Sequence, residues 1–283
     1  MNKIAIITDT DASLPTALAA EYGIYLVPIN IHFDQECLES CVEINDAELF
    51  ERVDRDQKLP TTSAPTPGKF IEAYQQAFAD GADEVVCFCV SSEISATYSV
   101  AQTASEHLAD RPITVVDTRN ISMGQGFMVL EAAKVARLGA SREAVIAAAQ
   151  DIHTRTHTYA ALAMLKYLAM SGRVGRITAG MADLLNIRPI LTCQDGKLEM
   201  LEKIRTRRKA QQRLIERITE SVDGRALEQL AFIHVNAFEE TQRLETQLRA
   251  VVGCPTDIIR AEFTPGLSVH TGAGLVGIVA VTD

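Results

Sequence analysis

Two short stretches of this chain carry more small hydroxyls than secondary structure demands: Thr61-Thr62-Ser63-Ala64-Pro65-Thr66-Pro67-Gly68 and Ser91-Ser92-Glu93-Ile94-Ser95-Ala96-Thr97. The second follows the apolar run Glu84 to Val90 and precedes a helical alternation. The first precedes a helix in which Pro67 takes the first position, where a missing N–H is tolerated. Hydroxyls just ahead of helices meet unsatisfied backbone N–H groups and the positive end of the dipole, which together attract an anion. Neither stretch contains a histidine, a lysine or a cysteine. The combination points to holding a carboxylate or phosphate rather than attacking a bond. Helix capping by Thr66 and Ser95 is expected as well, but capping needs only one hydroxyl per helix.

Other reactive residue types are more scattered. Thr264 to Gly274 reads as a glycine-punctuated loop with one histidine, His270, and the hydroxyls of Ser268 and Thr271. His270 could hydrogen-bond an anion, form a covalent adduct with a carbonyl, or order the loop. His153 and His157, four apart, would share a helix face, but no glutamate sits as in H-E-x-x-H and Arg155 lies between them. They are expected to be exposed helix-end histidines, and no metal site is expected. Gly124-Gln125-Gly126 is not G-x-G-x-x-G, and no P-loop is present, so the glycines are expected to allow close approach of backbone to backbone or to an apolar ligand. The G-x-S-x-G elbow of serine hydrolases is also absent. A hydrolase using Ser95 would need a base brought from elsewhere in the chain. Lys203 to Lys209 places five basic residues in seven within an acidic chain. Cations at a helix start oppose the macrodipole, so the segment is either a solvated helix start or a docking surface for an acidic or phosphate-bearing partner.

The 283 residues carry 27 basic and 37 acidic side chains, a net charge of −10, with 5% aromatics and no Trp. That balance is a poor match for nucleic acid, for want of both positive charge and stacking surfaces. The N-terminal apolar run Ile4 to Ile7 is too short for a signal-peptide core and fits a buried first strand. No apolar window is long enough to span a bilayer. The six cysteines form no C-x-x-C, and Cys87 and Cys89 alternate along one strand as buried thiols. A cytoplasmic protein with no integral membrane association is expected.

The length suggests two domains. Over residues 1–157, strand-like runs (Ile4–Thr8, Tyr25–Ile31, Glu84–Val90, Ile113–Asp117) alternate with helical patterns (15–22, 46–56, 67–80, 97–108, 126–138, 141–153). This predicts an α/β domain with a mostly parallel sheet and helices on both faces. Ligands collect beyond the carboxyl ends of such strands, where Asp9, Ser91-Ser92 and Asp117-Thr118 fall. Residues 158–283 read as an α+β domain with a mixed sheet. It contains a strand at Thr158–Met164, short helical pieces through Leu185, and a hairpin turning at Asp195-Gly196. A helix at Thr206–Ser221 and strands near 230–236, 257–262 and 275–281 follow. The cleft between the domains is the expected pocket.

Taken in order, the segments resemble the DegV family of fatty-acid-binding proteins along the whole chain. Thr8-Asp9-Thr10-Asp11-Ala12-Ser13-Leu14-Pro15 is similar to that family's T-D-S/T-x-x-x-L-P, and Pro60 to Gly68 to its P-T-T-S-Q-P-S-P-G. Ser91 to Tyr98 is similar to S-S-x-L-S-G-T-Y, and Asp117 to Gly126 to D-S/T-x-x-x-S-M-G-x-G. Ser171-Gly172-Arg173-Val174 resembles G-G-R-I, and Leu185 to Leu191 resembles L-L-N-I-K-P-I-L. Glu202 to Arg207 matches E-K-V-R-T-R, and His270-Thr271-Gly272 matches H-T-G. The departures are Ala64 for a glutamine, Ala96 for a glycine and Ala273 for a proline. Asp9 and Asp11 also add negative charge near the presumed sheet edge.

The resemblance implies a two-domain, non-enzymatic lipid carrier without a cofactor. It would hold one long-chain fatty acid, such as palmitate, stearate or oleate, in the interdomain cleft. The carboxylate would be presented to a fatty acid kinase for acyl-phosphate formation. Carried over by position, Thr62 and Ser95 would be the leading carboxylate ligands, with Ser63 and Thr61 beside them and His270 completing the polar end. Arg173 and Arg205 would dock the kinase. The acyl tail would lie against Ile94, Met123, Phe127, Met128, Leu185, Ile187 and Ile190. The alternatives are a dihydroxyacetone-kinase-like substrate-binding subunit using His270, or a hydrolase using Ser95.

Overall fold

The computed structural model describes residues 3–173 and 187–283. The chain divides into two compact units, Met1–Ile44 with Pro60–Thr154 and Asn45–Leu59 with Arg155–Asp283. Val174, Leu185 and Asn186, part of the motifs read above, lie outside the described residues.

In the first unit, strands β1 (Ile4–Asp9), β2 (Tyr25–Val27), β6 (Glu84–Cys89) and β7 (Ile113–Asp117) form a parallel sheet in the order β2-β1-β6-β7. Side chains alternate across such a sheet. Ala5, Ile7, Val85, Cys87 and Cys89 therefore share one face, packed with Phe70, Tyr74 and Ala77 of α3 (Pro67–Ala79) and Ala101 and Ala104 of α4 (Thr97–Glu106). Thr8 looks the other way, toward α5 (Met123–Arg137), where Gln125 donates to its hydroxyl at 2.9 Å. Both faces are thus covered, which is why these strands read as continuous apolar runs. The Sγ atoms of Cys87 and Cys89 lie 3.8 Å apart, fully buried, and burial pushes the Cys89 thiol well above its ordinary range. Helices α1 (Thr16–Tyr22) and α6 (Arg142–Arg155) complete the alternation.

One predicted strand is two. Tyr25–Ile31 breaks at Pro28, which has no N–H for a ladder, into β2 and β3 (Asn30–Phe33). Strand β3 turns into β4 (Glu36–Glu39) and also pairs with β5 (Thr61–Ser63), giving a small antiparallel sheet in the order β4-β3-β5. The sequence reading did not separate this sheet, because three- and four-residue strands show no periodicity.

The second unit holds a mixed sheet in the order β10-β9-β8-β13-β11-β12, built from β8 (Thr156–Ala161), β9 (Arg188–Gln194), β10 (Lys197–Ile204), β11 (Leu227–His234), β12 (Ile258–Glu262) and β13 (Val276–Thr282). Only the β11–β12 pair among these is parallel. The β9–β10 hairpin turns at Asp195 and Gly196 with φ of 49° and 80°, the left-handed pair that such a two-residue turn requires. Helix α8 (Arg207–Val222) buries Ala210, Leu214, Ile218 and Val222, one every fourth residue, against Phe232, Ile278 and Ala280 of the sheet. Each large side chain so buried contributes about 1.5–3 kcal/mol. Leu244 and Leu248 of α9 (Phe238–Arg249) extend the same core. Ile190, expected to line a tail channel, is buried in this core.

Segment Asn45–Leu59, early in the chain, is grouped with this second unit. Its helix α2 (Asp46–Asp56) starts in a reciprocal capping box: Glu48 N–H donates to Asn45 Oδ1 at 3.0 Å, and Asn45 N–H to Glu48 Oε2 at 3.2 Å. Leu49 and Val53 are buried on its inner face.

Candidate functional site

The first hydroxyl stretch is strand β5. Residues opposite each other on paired strands share a face, and Thr62 lies opposite Ile31, which is fully buried. Thr61 and Ser63 point to the other face, opposite His32 and Asn30. There Ser63 Oγ lies 2.8 Å from His32 Nε2 and 3.4 Å from Asn30 Nδ2, while Asn30 also donates to the Ala64 carbonyl at 3.1 Å. Ser63 is thus engaged within its own sheet, and strand alternation separates it from Thr62. Thr66 stands at the N-cap of α3 but, contrary to expectation, its side chain makes no capping hydrogen bond among the described residues, whereas Pro67 does occupy the first turn.

The second stretch is the turn between β6 and α4, at the carboxyl end of the parallel sheet. Ser92 Oγ donates to Asp117 Oδ2 at 2.5 Å, and Ser92 N–H to Asp117 Oδ1 at 3.2 Å. Asp117 also accepts from the Arg119 N–H at 2.9 Å, so the ends of β6 and β7 are tied together. Part of the hydroxyl surplus is therefore loop architecture. Asp117→Ala is expected to lower stability by about 1–2 kcal/mol through loss of these bonds, read as a lower midpoint in a thermal melt. An unchanged midpoint would show that the tie contributes nothing. Ser95 Oγ lies 2.8 Å from Thr97 Oγ1 and accepts from the Thr97 N–H at 3.3 Å. Its hydroxyl faces another hydroxyl at the start of α4 and has no general base among these partners.

Asp9, noted above as negative charge near the sheet edge, is fully buried and hydrogen-bonded. It accepts from the Val90 N–H at 2.7 Å, the Asp11 N–H at 3.0 Å and Gln125 Nε2 at 3.3 Å. Burial raises its pKa to about 6 against these donors. A raised carboxyl weakens the fold as pH climbs through that value. The role of Asp9 in joining β1 to β6 was missed; its signal was an aspartate ending an apolar strand. Gly126 packs so tightly that an added Cβ would lie 2.9 Å from the Ala12 carbonyl oxygen, which realises the close backbone approach expected of this segment. Met123, Phe127 and Met128 of α5 are buried, and Ile94 and Ile187 are half-buried.

In the second unit, the stretch read as a loop from Thr264 is mostly helical. Helix α10 (Pro265–Thr271) starts with Pro265 after an extended Thr264 and ends at Gly272, with φ 74° and ψ 165°. The flanking glycines and proline suggested irregular backbone, but they are the start and stop signals of a two-turn helix. His270 sits in its last turn. Burial, and secondarily the charge of Arg173, lower its pKa to about 4, so near neutral pH it is an uncharged imidazole. Arg173 itself is exposed and donates to the Ser171 carbonyl at 2.6 Å. Arg205, between β10 and α8, is exposed, as are Lys203 at the end of β10 and Arg208 and Lys209 at the start of α8, and Arg207 is ion-paired with Glu240.

His153 and His157 do not share a helix face, because the backbone passes from α6 into β8 at Thr156. His157 is held below its ordinary pKa by burial. Among the described residues, no group of three or more His, Cys, Asp or Glu could hold a metal ion, and no helix is long and apolar enough to cross a membrane.

Comparison with known proteins extends this picture. A DegV domain-containing protein of Streptomyces coelicolor is 34% identical over 98% of this chain and 97% of its own length. One from Halalkalibacterium halodurans is 31% identical over 98% of both. Among solved structures, a DegV family protein from Thermus thermophilus, described by its fatty acid binding, superposes with a TM-score of 0.90 at 29% identity, covering 99% of this chain and 100% of that one. DegV of Bacillus subtilis, described as a fatty acid binding protein, gives 0.87 at 27% identity over the full length of both. The family model described as "Uncharacterised protein, DegV family" matches residues 3–283. This chain belongs to the DegV family.

Proposed function

We propose that this protein is a carrier that binds one long-chain fatty acid, with Thr62, Ser95 and His270 as ligands of its carboxylate. Thr61 and Ser63 are the neighbouring hydroxyls in this reading, and no cofactor or metal takes part. The observation that carries it is the chemistry of the three groups. Thr62 and Ser95 lie on strand and turn segments beside the start of a helix, and His270 is neutral near pH 7. Such a set can hydrogen-bond a carboxylate without neutralising it, which leaves the anion chemically available. Most of the affinity then comes from the tail, at about 0.8 kcal/mol per buried methylene. Relatives from Thermus thermophilus and Bacillus subtilis described by fatty acid binding support the same ligand.

The carrier presents the carboxylate to a fatty acid kinase, with Arg173 and Arg205 as exposed cations available to an acidic or phosphate-bearing partner surface. The hydrogen bonds of Ser95 to Thr97, rather than to an imidazole or carboxylate, favour this reading over a hydrolase. Native mass spectrometry of purified protein, followed by lipid extraction, tests it. The expected result is one fatty acid per chain, or stoichiometric uptake of added oleate by delipidated protein. Repeated failure to find or take up any fatty acid would overturn the carrier reading.

A further inference from the structure

The second unit holds a buried acid that the proposed carboxylate site does not use. Asp46, at the first turn of α2, is only 4% exposed, and its Oδ2 accepts a 2.7 Å hydrogen bond from Ser268 Oγ, which is fully buried. Its other oxygen, Oδ1, is buried and has no hydrogen-bond partner among the described residues. Ser268 lies on α10, two residues before His270. The bond joins positions 222 residues apart and ties segment Asn45–Leu59 to the helix that carries the histidine.

We propose that Asp46 is a positioning residue, latching α10 and thus His270 to α2 through Ser268, and that protonation of its carboxyl governs how firmly the latch closes. The ligand-binding consequence rests on the fatty-acid reading; the latch itself rests on the buried pair. A buried carboxylate with one oxygen unsatisfied is costly when charged and far less so when neutral. Titratable and charged groups on the elements around it include, among the described residues, Glu262 at the end of β12, Glu48 in the capping box, His270 on α10 and Arg173 near His270. Burial, with the negative charge of Glu262 adding and the Ser268 bond opposing, raises the Asp46 pKa to about 7. His270 titrates at about 4 and stays neutral through this range. When the segment opens into water, Asp46 returns to an ordinary carboxylate pKa. Closing therefore takes up a proton, and the latch is favoured below pH 7 and released as pH rises through it.

Hydrogen exchange on the intact protein reads the latch without any ligand. Corrected for intrinsic chemistry, opening of α2 amides in the wild type is expected to increase about 10-fold from pH 6 to pH 8, while the β11 and β13 core amides do not follow. Asp46→Asn keeps an acceptor for Ser268 but cannot ionise, so its α2 opening is expected to be flat across the same range. Asp46→Ala and Ser268→Ala are expected to open α2 at both pH values and to shift the His270 imidazole resonances, with Asp46→Asn restoring them. Unchanged His270 signals and wild-type exchange in both alanine variants would overturn the proposal, as would an undiminished pH dependence in Asp46→Asn. An oleate titration of the same variants, with His270→Ala alongside, separates the two readings. Wild-type protein that takes no oleate but shows the expected exchange and His270 shifts sinks the fatty-acid reading and supports the latch. Oleate binding that is lost in His270→Ala yet unchanged in both Asp46→Ala and Ser268→Ala sinks the positioning role and leaves the fatty-acid reading standing.

Discussion

Ser95→Ala is expected to weaken fatty-acid binding about 10-fold, and Thr62→Ala combined with Ser95→Ala about 100-fold, as read by titration calorimetry with oleate. A hydrogen bond to a charged group contributes about 1.5–3 kcal/mol, and each 1.4 kcal/mol is roughly a tenfold change in affinity. The tail contacts are untouched by either change, so binding should remain measurable. Oleyl alcohol provides the control, since it presents the same tail without a carboxylate and should bind the variants and the wild type within about twofold of one another. Ser95→Ala also removes the acceptor of the Thr97 N–H, so a thermal melt belongs beside each titration. If both variants keep wild-type affinity for oleate while remaining folded, Thr62 and Ser95 are not the carboxylate ligands.

Gly272→Ala is expected to be the more damaging single substitution for the fold. Gly272 has φ 74° and ψ 165°, a region that side chains other than glycine essentially do not visit. Space is also missing: an added Cβ would lie 2.6 Å from Cε2 of the Tyr167 ring, in helix α7 (Lys166–Ser171). Backbone strain of about 1–3 kcal/mol combines with the cost of displacing a ring packed between two helices, for a loss of about 2–4 kcal/mol. In a domain of this size each kcal/mol lowers the melting midpoint by about 2–4 °C. Because Gly272 ends the helix two residues after His270, oleate affinity should fall as well. Tyr167→Ala in the same background relieves the clash but not the strain, so partial recovery of the midpoint is expected. A Gly272→Ala protein that melts with the wild type would show that the turn relaxes without cost.

How much of this was readable in the chain depended on how local the signal was. The parallel sheet was legible because runs such as Glu84 to Cys89 are apolar on both faces and alternate with helical patterns. Asp195-Gly196 announced the β9–β10 hairpin because only a few dipeptides accept two left-handed residues in succession. Thr264 to Gly274 was misread because proline and glycine mark helix ends and loops alike, and two turns of helix are too short for periodicity to decide. His153 and His157 misled for the opposite reason: a spacing of four means a shared face only if the helix continues, and here it ends at Arg155.

The sequence by itself determined the fold class, the family motifs and the identities of the hydroxyls and the histidine, since each of these is written in a few adjacent residues. Tertiary structure alone decided what those groups are occupied with. It turned Ser92 toward Asp117 and Ser63 toward His32, and set Thr62 on the face of buried Ile31. It also carried Asn45–Leu59 to the second unit, where Asp46 meets Ser268 from 222 positions away. No pattern of neighbouring residues encodes such a meeting. Burial, hydrogen bonding and the resulting pKa are properties of the packed environment, and that environment exists only once distant segments have come together.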